Sequence, residues 1–442
     1  MRLCLTHGFI LCERLRLAHL LIDVHSCAGP TDMHDLLDYH EALRTLITTH
    51  QPIGSLERVP LSQLCGRVLA QAVQVRVDVP AFDNSAMDGY AIHGNNHREW
   101  KIVDRIAAGD NADHLTLQPG EAARIFTGAP LPRGTTAVLM QEDVQYDHQN
   151  GRVMLSSLAR DGEAIPEGLN IRRQAEALQQ GATLLPEGFS LTPVAVGLLA
   201  EQGYTHVSCV RRLRVTVFAS GNELVKPGKP LEAGQIYNSN SYMLAALMRL
   251  QGFLVHDGGV LPDQLQATRA RLADAALTSD AIVCSGGVSV GEEDHLRTAL
   301  AAVGKVTQWR LSIKPGKPFT WGSIGNCAVF MLPGNPVSSL VTLQLLALPA
   351  LMRMAGVPTG QARPWCLQAR ADFRRQAIDP RREFLRVSLL RDADGYRARP
   401  VKLQGSAMLA GVLAADGLAE IPPNTEVKPG QLLLVYPLTG RL

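Results

Sequence analysis

The sequence predicts a multidomain α/β plus β protein whose largest part is a doubly wound, mostly parallel sheet. Three observations point there. From residue 213 strand-like apolar runs alternate with helical spacing, the pattern of a parallel sheet covered by helices. Between 73 and about 158 the pattern is short β-like runs broken by Gly, Pro and Asn. After about residue 363 the chain turns β-rich again.

In order along the chain, residues 36–48 have helical spacing. Val153-Met154-Leu155 follows the turn Gln149-Asn150-Gly151 and reads as one short strand of the β-rich stretch. Residues 161–210 are turn-rich, with a helix near 193–201. Leu213-Arg214-Val215-Thr216-Val217-Phe218-Ala219 reads as a buried strand, and a helix over 242–250 follows with Asn240 or Ser241 as N-cap. Leu254-Val255 begins a further strand, 264–277 a helix, and Ala281-Ile282-Val283-Cys284 another strand. Leu432-Leu433-Leu434-Val435-Tyr436 is the expected last strand. Ligands of such sheets bind beyond the carboxyl ends of the strands, so Asp263, 285–294 and 333–336, which all follow strands, are expected to converge.

Composition narrows the class. The 442 residues amount to about three domains at ~150 residues each. With 46% hydrophobic residues the chain can bury substantial cores, and 43 Lys+Arg against 41 Asp+Glu leave +2. That balance gives no electrostatic case for nucleic acid or a membrane surface as partner. The eight cysteines (4, 12, 27, 65, 209, 284, 327, 366) form no Cys-x-x-Cys pair, which argues against a zinc site or a disulfide framework and fits a reducing cytoplasm. No apolar run is expected to approach the ~20 residues of a membrane span. Phe9-Ile10-Leu11 is interrupted at once by Glu13, Arg14 and Arg16, so it is no signal-peptide core.

The richest segment is Ser285-Gly286-Gly287-Val288-Ser289-Val290-Gly291-Glu292-Glu293-Asp294, between an apolar run and a helical pattern. Strand, glycine-rich loop and helix point backbone N–H groups at an anion. Three carboxylates at the loop's end would repel that anion unless a cation joins it, which suggests Mg2+ with a phosphate. Ile313-Lys314-Pro315-Gly316-Lys317-Pro318 sets two lysines on a stiff turn. Leu332-Pro333-Gly334-Asn335-Pro336-Val337-Ser338-Ser339 is a second strand–turn–helix anion site.

These three segments, in this order, resemble the molybdopterin molybdenumtransferase family (MoeA, also the gephyrin E domain). The resemblance covers roughly 33–440 and implies four domains: a helical, linking domain over 33–72 and 160–210, an inserted β-rich domain over 73–159, a molybdopterin-binding α/β domain over 211–360 and a β domain over 361–442. Family members begin near a motif like Leu36-Leu37-Asp38-Tyr39-His40-Glu41-Ala42-Leu43, so 1–32 is expected to be an extension or a mis-called start, with Met33 the start. Residues 60–69, ending in Gly66-Arg67-Val68-Leu69-Ala70, resemble the family's short entry helix.

The resemblance also implies roles. Ala81-Phe82-Asp83-Asn84-Ser85-Ala86-Met87-Asp88-Gly89-Tyr90-Ala91 matches a signature that makes Asp88 an active-site residue; alone, Asp-Asn-Ser is ordinary turn chemistry. Phe126-Thr127-Gly128-Ala129-Pro130 makes Thr127 a contact, and Asn170-Ile171-Arg172-Arg173 brings in Arg172. Glu223 in Ser220-Gly221-Asn222-Glu223-Leu224, together with Asp263, Asp294 and Asp88, would hold Mg2+ and position a phosphoanhydride, with Asp263 and Asp294 as metal ligands. Asn222 stands where relatives carry Asp, and the local sequence alone reads equally as a capping cluster. Ser285, Gly286, Gly287, Ser289, Pro333 and Pro336 would line the substrate. Lys314, Lys317, Arg386 and Ser406 match the family's molybdate-binding residues, fixed cations and a hydroxyl suited to a tetrahedral dianion. Arg310 stands where relatives often carry Lys.

One departure is larger: Ala175-Glu176-Ala177 replaces Gly-Glu-Asp, so a functional aspartate is absent at Ala177. The implied reaction is Mg2+-dependent insertion of molybdate into adenylylated molybdopterin, releasing AMP, by a cytoplasmic homodimer whose β insert completes the partner's site. A molybdopterin adenylyltransferase would supply its substrate, and apo-molybdoenzymes would receive its product. The rival readings are a catalytically impaired paralogue or pterin-binding scaffold, and a related molybdopterin adenylyltransferase, which would need neither the β insert nor the last domain.

Overall fold

The computed structural model describes residues 36–156, 164–287, 295–376 and 378–438. Its central sheet has six strands in the order Leu254–Leu261, Arg214–Ser220, Ala281–Ser285, Cys327–Leu332, Pro318–Ile324, Lys305–Arg310. The first four are parallel, and Pro318–Ile324 runs antiparallel to both its neighbours. The sheet is therefore mostly parallel, with one reversed strand near an edge.

Side-chain alternation divides the apolar residues between the two faces. Val215, Val217, Ala281, Val283, Ala328, Phe330 and Leu332 pack on one side, against helices Tyr39–Thr49, Asn240–Leu250 and the helical run 336–354. Phe218, Ile282, Cys284, Val329 and Met331 face the other, against Leu265–Thr278 and His295–Val303. Both faces are covered, which is why the central strands read as unbroken apolar runs.

The helix Pro336–Met354 is 19 residues long with mean hydropathy 1.5, close to membrane length, contrary to the sequence expectation; 83% of its most apolar stretch is buried inside the protein, so the core accounts for its character. Its turn Leu343–Ala347 widens to a π-helix. Pro349 two residues later has no N–H to give the Leu345 carbonyl, a standard cause of such a widening.

The insert is a second six-stranded sheet, ordered Ala137–Met140, Gly89–Ile92, Glu121–Ile125, Glu99–Ile106, Arg152–Leu155, Val144–Asp147, with a core on each face. Its hydrogen bonds to the rest of the chain, among the described residues, run to residues 165–182 and to Gln202 and Gly203. Segments 56–74 and 183–210 pack together through Leu56–Pro60 against His206–Val210 and Val73–Gln74 against Thr183–Leu185. The last sheet closes into a barrel, because Arg382–Asp392 pairs with both Gly395–Pro400 and Gly417–Ile421. The strand Ile313–Lys314 leaves the central domain to pair with Arg382 and Glu383 of that barrel.

Two local expectations change. The helix expected over 60–69 is one 3-10 turn, Leu61–Gln63, after the strand Leu56–Pro60, because the backbone of 66–70 bonds instead to Phe189, Leu191 and Ser208. The helix Asn240–Leu250 has Ser239 as N-cap, and the capping bond comes from Asn238, whose Oδ1 accepts from Ser241 N at 3.2 Å. Asn240 is thereby free for another task.

Candidate functional site

Register brings the strand ends together. Ser220 pairs with Leu261, Ala219 with Ser285, and Ser285 with Leu332. Gly221–Glu223, Asp263, Gly286-Gly287 and Pro333–Pro336 therefore leave one edge side by side. Lys305–Arg310 runs in the same direction, so Arg310 also ends there.

Hydrogen bonds bind these loops to each other. Asp263 accepts from Ser220 Oγ at 3.3 Å and from Asn222 N at 3.2 Å. Asn240 Nδ2 donates to Ser285 Oγ at 2.7 Å and to Gly334 O at 2.6 Å, joining the glycine loop to the Pro333–Pro336 turn. Ser285 is 1% exposed, and its hydroxyl also meets Pro333 O and Ser339 Oγ at 3.3 and 3.2 Å. Its role in the geometry is to tie loops, not to face solvent. Gly286 has φ +94°, and a Cβ there would lie 2.3 Å from Ser220 O, so the strand-to-loop crossing requires glycine. Asn240 and Ser339 belong to this bracket; from sequence Ser339 stands only as the end of the 332–339 anion segment, and Asn240 only as a helix cap.

Ser289 and Asp294 lie outside the described residues. Glu223 is exposed, with its carboxylate folded back over Gly221. Among the described residues no three His, Cys, Asp or Glu side chains cluster as a ready-made metal cage. Mg2+ needs none, since it typically takes one or two carboxylates and completes its shell with water and substrate phosphate. Asp263, a hard oxygen donor joined through Ser220 to the Gly286 crossing, fits that requirement. Cys284 and Cys327 are both buried, with thiols pushed up to about 12 by burial, so neither is a nucleophile.

The barrel contributes the second wall. Asn335 Nδ2 donates to Ser406 Oγ at 3.0 Å, and Val337 N donates to Ser406 O at 3.0 Å, which seats Ser406 on the Pro333–Pro336 turn. Arg386 is 2% exposed; its guanidinium donates to Leu403 O at 2.7 Å and Gly405 O at 3.1 Å, fixing the backbone that carries Ser406. Burial draws its pKa below the usual arginine value. Lys314 Nζ lies 3.2 Å from Asp379 and 3.5 Å from Glu383. Arg381 and then Lys314 hold the Asp379 carboxyl well below the ordinary range. Lys317 is exposed and, among the described residues, has no ion pair. The structure thus brings Pro333, Pro336 and Ser406 together, and gives Lys314, Lys317 and Arg386 three different surroundings.

Asp88 and Thr127 form a separate pair on the inserted domain. Asp88 Oδ1 accepts from both Thr127 N and Thr127 Oγ1 at 2.8 Å, and these bonds lower its pKa. Arg172 is exposed, on a two-residue strand paired with Asn84–Ser85. Just beyond it, Ala175 adopts φ +60°, where a glycine would sit without strain. Arg173 Nη1 and Gln174 N both bond to Asp83, at 2.6 and 2.8 Å, and hold the turn despite that residue. Ala177 is exposed, with its N–H donated to Val79 O.

Three family descriptions match in succession: MoeA N-terminal region (domain I and II) over 37–203, probable molybdopterin binding domain over 216–353, and MoeA C-terminal region (domain IV) over 368–438. A molybdopterin molybdenumtransferase of Haemophilus influenzae is 39% identical over 68% of this chain and 73% of its own length. Molybdopterin molybdenumtransferase 2 of Mycobacterium tuberculosis is 34% identical over 92% of this chain and 100% of its own. Among solved structures, a molybdopterin biosynthesis moeA protein from Pyrococcus horikoshii superposes with TM-score 0.76 at 27% identity, covering 91% of this chain and 100% of its own.

Proposed function

The chain belongs to the molybdopterin molybdenumtransferase (MoeA) family, a family of transferases in molybdenum cofactor biosynthesis, and from that premise we propose that it inserts molybdate into adenylylated molybdopterin and releases AMP in a Mg2+-dependent reaction. The observation that carries the reading is the convergence of Gly286, Asp263 and the Pro333–Pro336 turn at one sheet edge, with Ser406 of the barrel hydrogen-bonded to that turn.

In this reading the Gly286 and Gly287 backbone receives the phosphoanhydride, and Pro333 and Pro336 shape the pterin side. Asp263, with Asp294 and Glu223, is the group that would hold Mg2+. Bound there, Mg2+ would neutralise charge on the leaving phosphate. Lys317 and Ser406 receive the incoming oxyanion, with Lys314 beside them and Arg386 holding the Ser406 backbone rigid. Arg310 adds positive charge at the same edge. No side chain acts as nucleophile; positioning and charge neutralisation carry the rate.

Asp88, Thr127 and Arg172 act from the partner subunit of a homodimer, across the site. The activated pterin comes from a molybdopterin adenylyltransferase, the product goes to apo-molybdoenzymes, and the reaction is cytoplasmic. Neither nucleic acid nor a membrane surface takes part.

Purified protein with adenylylated molybdopterin, Mg2+ and molybdate is expected to release AMP and to activate an apo-molybdoenzyme. Pterin binding without AMP release would replace the reading with a scaffold, and ATP-dependent adenylylation of free molybdopterin with an adenylyltransferase. Ala177 favours a second reading, an impaired paralogue. If that holds, Ala177→Asp raises turnover severalfold; unchanged turnover discards it.

A further inference from the structure

The Asp88 corner contains an arginine to which neither the sequence motifs nor the reading above gives a role. Arg124 lies on the strand Glu121–Ile125, opposite Tyr90 of Gly89–Ile92. Its guanidinium donates through Nη1 to Gly89 O at 3.0 Å and through Nη2 to Gln141 Oε1 at 2.7 Å. Gln141 N in turn donates to Asp88 O at 3.1 Å. The same guanidinium lies 5.0 Å from the Tyr90 ring centroid and 4.8 Å from that of Phe126. Phe126 immediately precedes Thr127, whose N–H and hydroxyl hold Asp88 Oδ1.

These contacts close a ring: Asp88, Thr127, Phe126, Arg124, Gln141 and back to Asp88. Each link fixes one degree of freedom of the carboxylate. Thr127 fixes its rotation, Gln141 fixes its backbone carbonyl, and Arg124 fixes the next carbonyl along and the position of Gln141. Gly89 allows no slack, since a Cβ there would lie 1.8 Å from Leu139 O. A planar cation with several donors does this in a way a lysine does not, because the two acceptors and the two rings are met simultaneously. Asp88 is exposed and its Oδ2 accepts no hydrogen bond among the described residues, so the ring holds an oxygen that points away from the fold.

We propose that Arg124 is a positioning residue for the reaction: through Gly89, Gln141 and Phe126 it holds the Asp88 carboxylate in the orientation that meets the substrate. The inference rests on Asp88 acting on the substrate, as in the function proposed above. A misplacement of about 1 Å in such a group costs on the order of a hundredfold in rate.

The test compares Arg124→Met, Gln141→Leu, Asp88→Asn and the double variant Asp88→Asn/Arg124→Met as full chains. AMP release is followed with adenylylated molybdopterin, Mg2+ and molybdate, and folding by thermal melting. Arg124→Met is expected to lower kcat about tenfold to a hundredfold with KM unchanged. Gln141→Leu, a milder break in the same ring, is expected to lower kcat in the same way with its melting temperature intact. The double variant is expected to be no slower than Asp88→Asn alone, since the arginine acts only through that carboxylate. Loss of rate in Arg124→Met that multiplies with the Asp88→Asn loss, or normal kcat in a folded Gln141→Leu, would overturn the proposal. Normal turnover in Asp88→Asn would instead remove its premise, a distinguishable failure.

Discussion

At the carboxyl edge of the central sheet Ser285 is 1% exposed and its hydroxyl is occupied by Asn240, Pro333 and Ser339, whereas on the inserted domain Asp88 is exposed and, among the described residues, only one of its carboxylate oxygens is engaged. The two regions hold polar groups in opposite ways. At the sheet edge side chains satisfy one another and lock loops, which leaves backbone at the crossing as the surface a ligand meets. At the Asp88 corner the backbone and neighbouring side chains lock one carboxylate, which leaves a side-chain oxygen as that surface. The first arrangement suits recognition of a phosphate by a rigid cradle; the second suits an acidic group acting on something outside its own fold.

The comparison can be broken most severely at Gly286. Gly286→Ala forces a Cβ onto Ser220 O in a left-handed backbone conformation, and is expected to destabilise the protein by about 3 kcal/mol or more and to abolish pterin binding. Chemical denaturation and pterin binding would check it; a stable variant that still binds pterin would mean the edge is not a rigid cradle.

A smaller effect separates the barrel wall from both regions. The Asp379 carboxyl is held below its ordinary range by Arg381 first and Lys314 after it. A depressed folded-state pKa contributes stability above the unfolded value of about 4, and that contribution is lost as pH falls below it toward the folded value. Asp379→Asn is therefore expected to lower stability at pH 7 by roughly 1 kcal/mol and to weaken the dependence of melting temperature on pH below about 4. Unchanged acid sensitivity would show that the network does not support Lys314.

The smallest expected effect is a gain. Ala175→Gly relieves a left-handed alanine, offset by greater freedom in the unfolded chain, and should stabilise by up to about 1 kcal/mol. A lower melting temperature would contradict the strain assigned to that turn.

Much of the sheet edge was legible because its signals are local. Residues 213–219 read as a buried strand from their own apolar run, and Gly286, Pro333 and Pro336 mark turns by their own backbone limits. What the sequence could not give were partners fixed by the tertiary fold. Ser406 meets Asn335 across 71 residues, and Ser285 meets Asn240 across 45. Arg386 read as an available cation, and only the close approach of 403–405 shows its guanidinium buried on carbonyls. Local signals also misled: long-range bonds from 66–70 to Phe189, Leu191 and Ser208 replaced the helix expected over 60–69, and Asn238 caps the helix that begins at Asn240.

In the function proposed above the two regions act on one substrate from two subunits. The most direct test is complementation between Asp88→Asn and Asp263→Asn chains, each slowed to a small residual rate alone, dissociated and reassembled together at equal concentration. If the regions serve a shared site, half the dimers are mixed and each carries one intact site, so AMP release should recover to about a quarter of the wild-type rate. A mixture no more active than either parent would contradict it.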